Sequence, residues 1–147
     1  MELQSTLRNI ESILPLKIVK KYYFYAAHRN KSAGEKCGRI HGHTYDVKVH
    51  LDFPKWKKDV TILFQEIDML CEGVIKKYDH YFILHDIDPL VKILYEADEE
   101  IKLVSFETSA ENMAKQLYHE IEGTGLPILR IELAETKSSN IIYEPTN

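Results

Sequence analysis

Lys17-Ile-Val-Lys-Lys-Tyr-Tyr-Phe-Tyr-Ala-Ala-His28 and Cys37-Gly-Arg-Ile-His41-Gly-His43-Thr-Tyr-Asp-Val-Lys-Val-His-Leu-Asp-Phe53 are the two stretches that decide the fold of this chain. In the second, His41, His43, Tyr45, Val47, Val49, Leu51 and Phe53 share one parity, and Thr44, Asp46, Lys48, His50 and Asp52 take the other. A period of two is the signature of a strand with one buried face. His41 and His43 therefore point the same way as the apolar residues, toward an interior. The first stretch is rich in Tyr, Val and Ile, as strands prefer, and places Ile18, Tyr22, Phe24, Ala26 and His28 on one parity. The pattern predicts strands at about 17–28 and 43–53.

If the two strands pair antiparallel, with 29–40 as the connecting loop, His28 comes beside His41 and His43. An isolated strand histidine is more often packed than ligating. Three imidazoles on a two-stranded platform are a different matter: they make a three-ligand zinc site with one open position, the usual catalytic arrangement.

The chain has 147 residues, 44% of them hydrophobic and 29% charged, as expected for one globular domain with a proper core. A net charge of −4 argues against a nucleic-acid partner. No apolar run is long enough to span a bilayer and no signal-peptide pattern is present, so a cytoplasmic protein without a membrane partner is expected. Two cysteines do not make a disulfide scaffold. Cys71 sits in a helical pattern and reads as core. Cys37 lies in a polar loop with Lys36 and Arg39 beside the proposed metal, where a thiolate serves either as fourth ligand or as base.

Residues 1–14 carry Leu3, Leu7, Ile10 and Leu14 at helical spacing before Pro15, and read as a helical extension (1–15) to a domain spanning 16–147. Residues 54–59 read as a charged turn. The spacing at 60, 63, 64, 67, 70, 71, 74, 75 and 78 predicts a helix over 60–78. Asp79-His80 follows its end. Segment 85–106 is less regular, with a helical turn at 89–96, an acidic loop and a short strand at 101–106. Thr108-Ser-Ala-Glu111 reads as a capping box opening a helix to Glu122, which Gly123 and Gly125 stop. Strands follow at 127–136 and 140–143. Glu135 interrupts the apolar parity of Leu129, Ile131 and Leu133, and a carboxylate there needs a partner. A planar edge with two adjacent N–H donors would meet it in bidentate fashion.

These features together resemble the 6-pyruvoyl-tetrahydropterin synthase / 6-carboxy-tetrahydropterin synthase (QueD) family. The resemblance spans about 18–143. It rests on F-Y-A-A-H at 24–28, C-G-R-I-H-G-H-T-Y at 37–45, Asp79-His80, S-A-E-N at 109–112, and A-E-T at 134–136 with Tyr143 beyond. It implies an α+β tunnelling fold: a four-stranded antiparallel sheet with two helices on one face, the sheets of several subunits closing into a barrel. A homohexamer of two stacked trimers with active sites between subunits is implied. Carried over by position, His28, His41 and His43 are zinc ligands, Cys37, Asp79 and His80 form a catalytic triad, and Glu135, with Glu111 beside it, grips a pterin ring.

The three-residue gap between Cys37 and His41 resembles the branch that converts 7,8-dihydroneopterin triphosphate to 6-carboxy-5,6,7,8-tetrahydropterin, an early step toward queuosine. The pyruvoyl branch has a longer gap, and its reaction, which keeps the side-chain carbons, is the alternative. A non-catalytic zinc-stabilised pterin-binding module is a second alternative, against which Cys37, Asp79 and His80 argue. The chain departs from the family pattern at Leu63, where aspartate is common, at Ile83-Leu84, where leucine-asparagine is usual, at Ser109, where threonine is common, and in the length of 85–106.

Overall fold

The first two strands pair along their whole length. The computed structural model describes residues 16–54 and 59–146. In it β1 (Leu16–His28) and β2 (His41–Phe53) are antiparallel, from Leu16 opposite Phe53 to His28 opposite His41. β2 thus starts two residues earlier than the alternation suggests, at the first histidine. The expected parity holds: Phe24, Ala26 and His28 of β1 and Tyr45, Val47, Val49 and Leu51 of β2 are buried. Gly42, between the two β2 histidines, lies tight against β1. A β-carbon there would stand 3.1 Å from the Ala26 carbonyl oxygen.

β5 (Ile128–Thr136) pairs antiparallel with β2, and β6 (Ser139–Tyr143) with β5. These four strands are the antiparallel sheet expected from the sequence. The structure enlarges it. β3 (Tyr81–His85) lies parallel to β1, and β4 (Ile101–Val104) parallel to β3, giving a six-stranded mixed sheet in the order β4-β3-β1-β2-β5-β6. The sequence pattern missed β3 because Ile83 and Leu84 are both buried, and a strand covered on both sides does not alternate.

α1 (Phe64–Ile75) and α3 (Ala110–Glu122) pack on each other, α1 against β1 and α3 against β5 and β6, as the two expected helices. A third, α2 (Leu90–Glu96), connects β3 to β4 and packs on β4. α1 is shorter than its apolar spacing suggests. Ile67, Cys71, Val74 and Ile75 are buried, whereas Val60, Leu63 and Phe64 are more than half exposed. The family's departure at Leu63 falls on the N-cap of α1, which has no side-chain acceptor; the Glu66 carboxylate instead accepts from the Leu63 N–H at 3.0 Å.

The core lies between the helices and β1, β2 and β5. Phe24 and Tyr45 stack at its centre with ring centroids 4.7 Å apart, both fully buried. Each contributes about 1.5–3 kcal/mol by leaving water. Burial pushes the Cys71 thiol up to about 11, so it packs as an apolar group. The 1–15 extension and residues 55–58 of the charged turn lie outside the described residues. Among the described residues no helix is long and apolar enough to cross a membrane.

Candidate metal centre and its cavity

The β1–β2 ladder puts His28 directly opposite His41, and His43 opposite Ala26, one inward-facing position along. All three rings meet at the end of the sheet. His28 Nε2 stands 3.1 Å from His41 Nε2 and 3.1 Å from His43 Nε2. The other ring nitrogens are taken by main chain: His28 Nδ1 donates to the Thr108 carbonyl at 2.8 Å, and His41 Nδ1 to the Arg39 carbonyl at 2.7 Å. His43 is hydrogen bonded to the main chain of Glu135.

These anchors settle the tautomers. A carbonyl only accepts, so Nδ1 of His28 and of His41 carries the proton and a neutral ring leaves Nε2 bare. Burial, with the two neighbouring imidazoles adding to it, pushes His28 down to about 4, so at neutral pH it is uncharged. Burial also lowers His43. Lone pairs of His28 and His41 then face each other, which is repulsive unless a cation lies among them. A tetrahedral ion with metal–nitrogen bonds of about 2.0–2.1 Å holds its ligand atoms about 3.3 Å apart, close to what is found. These three are the cluster of ligating side chains able to hold a metal among the described residues. Carbonyl-anchored Nδ1 atoms are the usual support of histidine ligands.

The cluster opens into a cavity of about 630 Å³, lined also by Cys37, Glu111 and Glu135. Cys37 is exposed in the loop between β1 and β2, whose base is closed by Asn30 N–H donating to the Cys37 carbonyl at 2.8 Å. Glu135 sits at a register shift between β5 and β6, where Ala134 pairs with Asn140 and Thr136 with Ser139. A bulge of this kind re-aims the side chain it carries. The Glu135 carboxylate comes to 3.5 Å from the Tyr45 hydroxyl, which donates to it, and 3.7 Å from His28 Nε2. Its expected partner is thus Tyr45, at the edge of the cluster, with the carboxylate about a quarter exposed toward the cavity.

Glu111 is not held in the expected capping box. The N-cap of α3 is Ser109, one residue later than the spacing suggests, and its hydroxyl accepts from the Asn112 N–H at 3.3 Å. Glu111 stands exposed in the first turn, on the cavity wall. Thr108 is fully engaged elsewhere: its carbonyl holds His28 and its hydroxyl donates to the Arg29 carbonyl at 3.1 Å. That support for the site is invisible in the spacing, because T-x-x-E describes a cap equally well. The parity of Tyr45 indicates only a core position; its ring is core, and its hydroxyl belongs to the site.

Asp79 and His80 lie elsewhere. Asp79 accepts from the Tyr25 N–H at 2.9 Å and from His80 Nδ1 at 2.8 Å. The Tyr25 amide is the main cause holding the Asp79 carboxyl below its ordinary range. His80 is mostly exposed, packs edge-on against Tyr25 and has φ of 65°, a left-handed conformation rarely adopted by a residue with a β-carbon. Tyr25 has the parity opposite to His28, so the dyad is on the other face of the sheet. His80 lines a shallow groove with Tyr25, His43 and Thr44, and neither Asp79 nor His80 lines the cavity of the three imidazoles. One chain therefore brings Cys37, Glu111, Glu135 and the imidazoles together, and leaves Asp79-His80 apart from them.

Residues 17–146 match the sequence profile of the family described as 6-pyruvoyl tetrahydropterin synthase. The chain belongs to that family. A 6-carboxy-5,6,7,8-tetrahydropterin synthase of Haemophilus influenzae is 28% identical over 87% of this chain and 98% of its own. The enzyme of the same name from Aquifex aeolicus is 28% identical over 74% of this chain and 76% of its own. Among solved structures, an uncharacterized protein of Wolinella succinogenes superposes with a TM-score of 0.72 at 20% identity, over 90% of this chain and 99% of that one. The 6-pyruvoyl tetrahydropterin synthase of Caenorhabditis elegans does so with 0.68 at 17% identity, over 92% and 99%. The six-stranded sheet with α1 and α3 on one face is thus the tunnelling fold of this α+β family.

Proposed function

We propose that this chain is a zinc-dependent pterin lyase, converting 7,8-dihydroneopterin triphosphate to 6-carboxy-5,6,7,8-tetrahydropterin with release of acetaldehyde and triphosphate. The observation that carries the reading is the convergence of three imidazole Nε2 atoms, those of His28 and His41 bare, beside Cys37 and Glu135 in one cavity. The carboxy product is favoured by the three-residue gap between Cys37 and His41 and by the names of the two curated relatives above.

His28, His41 and His43 would hold the zinc, and when bound it supplies Lewis acidity toward side-chain oxygens of the substrate. The rest falls to the chain. Glu135, with Glu111 beside it, accepts from the N–H edge of the pterin ring and so fixes the distance from ring to metal centre. Cys37, on the cavity wall, takes the carbon-bound proton next to the polarised oxygens. Asp79 orients His80 through Nδ1, leaving Nε2 to pass a proton to or from the substrate.

Because Asp79-His80 sits on the opposite face of the sheet, we propose that it serves the cavity of a neighbouring copy. The surface fits assembly: Val19, Tyr23 and Tyr25 are exposed on the helix-free face of β1. Closing the sheets of several copies into a hexameric barrel also removes the free edges of β4 and β6. Two unpaired cysteines fit a reducing, cytosolic compartment.

The test is incubation of zinc-loaded protein with 7,8-dihydroneopterin triphosphate while trapping aldehyde. Acetaldehyde with triphosphate is the expected result. Triphosphate release without acetaldehyde transfers the chain to the pyruvoyl reaction, and pterin binding without turnover reduces it to a binding module.

A further inference from the structure

The sheet ladders end where the first ligand stands. β1 pairs with β3 only through Ala26 and Ala27, and with β2 up to His28 opposite His41. Beyond that point the chain is held by the segment 86–108, which joins β3 to α3. Arg29 donates from Nε to Asp88 Oδ2 at 2.8 Å and from Nη2 to Asp88 Oδ1, a bidentate pair. The carboxylate is 6% exposed and the guanidinium 15%. Asp88 is itself fixed, since Oδ1 also accepts from the Leu90 N–H at 2.9 Å at the start of α2. On the other side, Thr108, 1% exposed, holds the Arg29 carbonyl with its hydroxyl and His28 Nδ1 with its carbonyl. The next residue, Asn30, closes the Cys37 loop.

We propose that this segment is the support of the metal centre, with Arg29, Asp88 and Thr108 as positioning residues that set how tightly the three imidazoles hold zinc. The inference rests on reading those imidazoles as a metal site. A largely buried ion pair contributes little net stability against an apolar pair of the same shape, so a geometric role is the one to look for. That role is available: Arg29 is covalently next to a ligand and one residue from the base of the Cys37 loop. A shift of its main chain moves both. Segment 86–108 thereby acquires a function.

The experiment is zinc affinity by chelator competition on the full chain, with thermal stability of the zinc-free protein measured alongside. Asp88→Asn and Arg29→Lys, which keeps the charge but loses the fork, are expected to weaken zinc binding about 10–100-fold, the usual effect of removing support behind a ligand. Thr108→Val, which keeps the carbonyl and loses the hydroxyl, is expected to weaken it severalfold. Unchanged affinity in Arg29→Lys and Thr108→Val overturns the proposal even if Asp88→Asn does not fold. A loss of affinity that only tracks a loss of zinc-free stability overturns it too. His41→Ala separates the two levels: if it binds zinc as well as the wild type, the metal-site reading itself fails.

Discussion

His28 and His41 face each other across the β1–β2 ladder with Nε2 atoms 3.1 Å apart, while the Nδ1 of each is bound to a main-chain carbonyl. The fold thus stores two bare nitrogens in contact, an arrangement with a purpose only if something positive joins them.

The first consequence is a pH dependence of the zinc-free protein. Buried His28 titrates near 4 in the fold, against about 6.5 in the unfolded chain. Above about pH 6.5 both states are neutral and the contribution is fully present. As pH falls from there toward 4, the unfolded chain binds a proton that the fold refuses, and stability drops by an amount on the order of 3 kcal/mol before levelling. Denaturant titrations in the presence of a chelator check this, with His28→Gln expected to flatten the slope between pH 6.5 and 4.

A second prediction concerns Leu63. It occupies the N-cap of α1, and Glu66 already supplies the reciprocal half of a capping box. Leu63→Ser completes it and also removes a large exposed apolar side chain, 53% accessible. Stability should rise by about 1 kcal/mol. A calorimetric scan should show the midpoint higher by about 2–4 °C.

Glu135 is expected to act on the ring and not on the metal. Its carboxylate is held by Tyr45 at the cavity edge. Glu135→Gln keeps the shape and loses the charge-assisted pair with the pterin N–H edge, so KM should rise about tenfold or more. Zinc content should stay at the wild-type level, and a loss of zinc would reassign the residue.

Separation of Cys37 from Asp79-His80 in one chain makes a mixing experiment decisive. Cys37→Ala and His80→Ala should each be inactive alone. Dissociated together and reassembled, random mixing leaves roughly a quarter of the sites with both intact groups, and activity should return to about that fraction. No recovery in mixed assemblies would place the dyad outside the neighbour's site.

Much of this was legible in the sequence, for physical reasons. Strict alternation marks β2 from His43 onward and the direction of both histidines, since one face is buried and the other wet. Where burial is two-sided, as at Ile83 and Leu84, the same rule is blind and β3 stays hidden, whereas the short strand expected at 101–106 is β4. Val60, Leu63 and Phe64 carry helical spacing yet stay exposed, so apolar periodicity overran the start of α1. Thr108 and Ser109 compete for one cap, and only the tertiary partner Arg29 shows which is free for it. Which face Asp79-His80 would take was never encoded in local spacing; it depends on the long-range bond from the Tyr25 amide.

In the proposed centre three imidazoles hold the metal and Cys37 is left free as a base. Zinc K-edge absorption on loaded protein tests it most directly. One zinc per chain is expected, with nitrogen and oxygen around it at about 2.0–2.1 Å and no sulfur. Sulfur at about 2.3 Å would make Cys37 a ligand, remove the proposed base and overturn the three-imidazole centre.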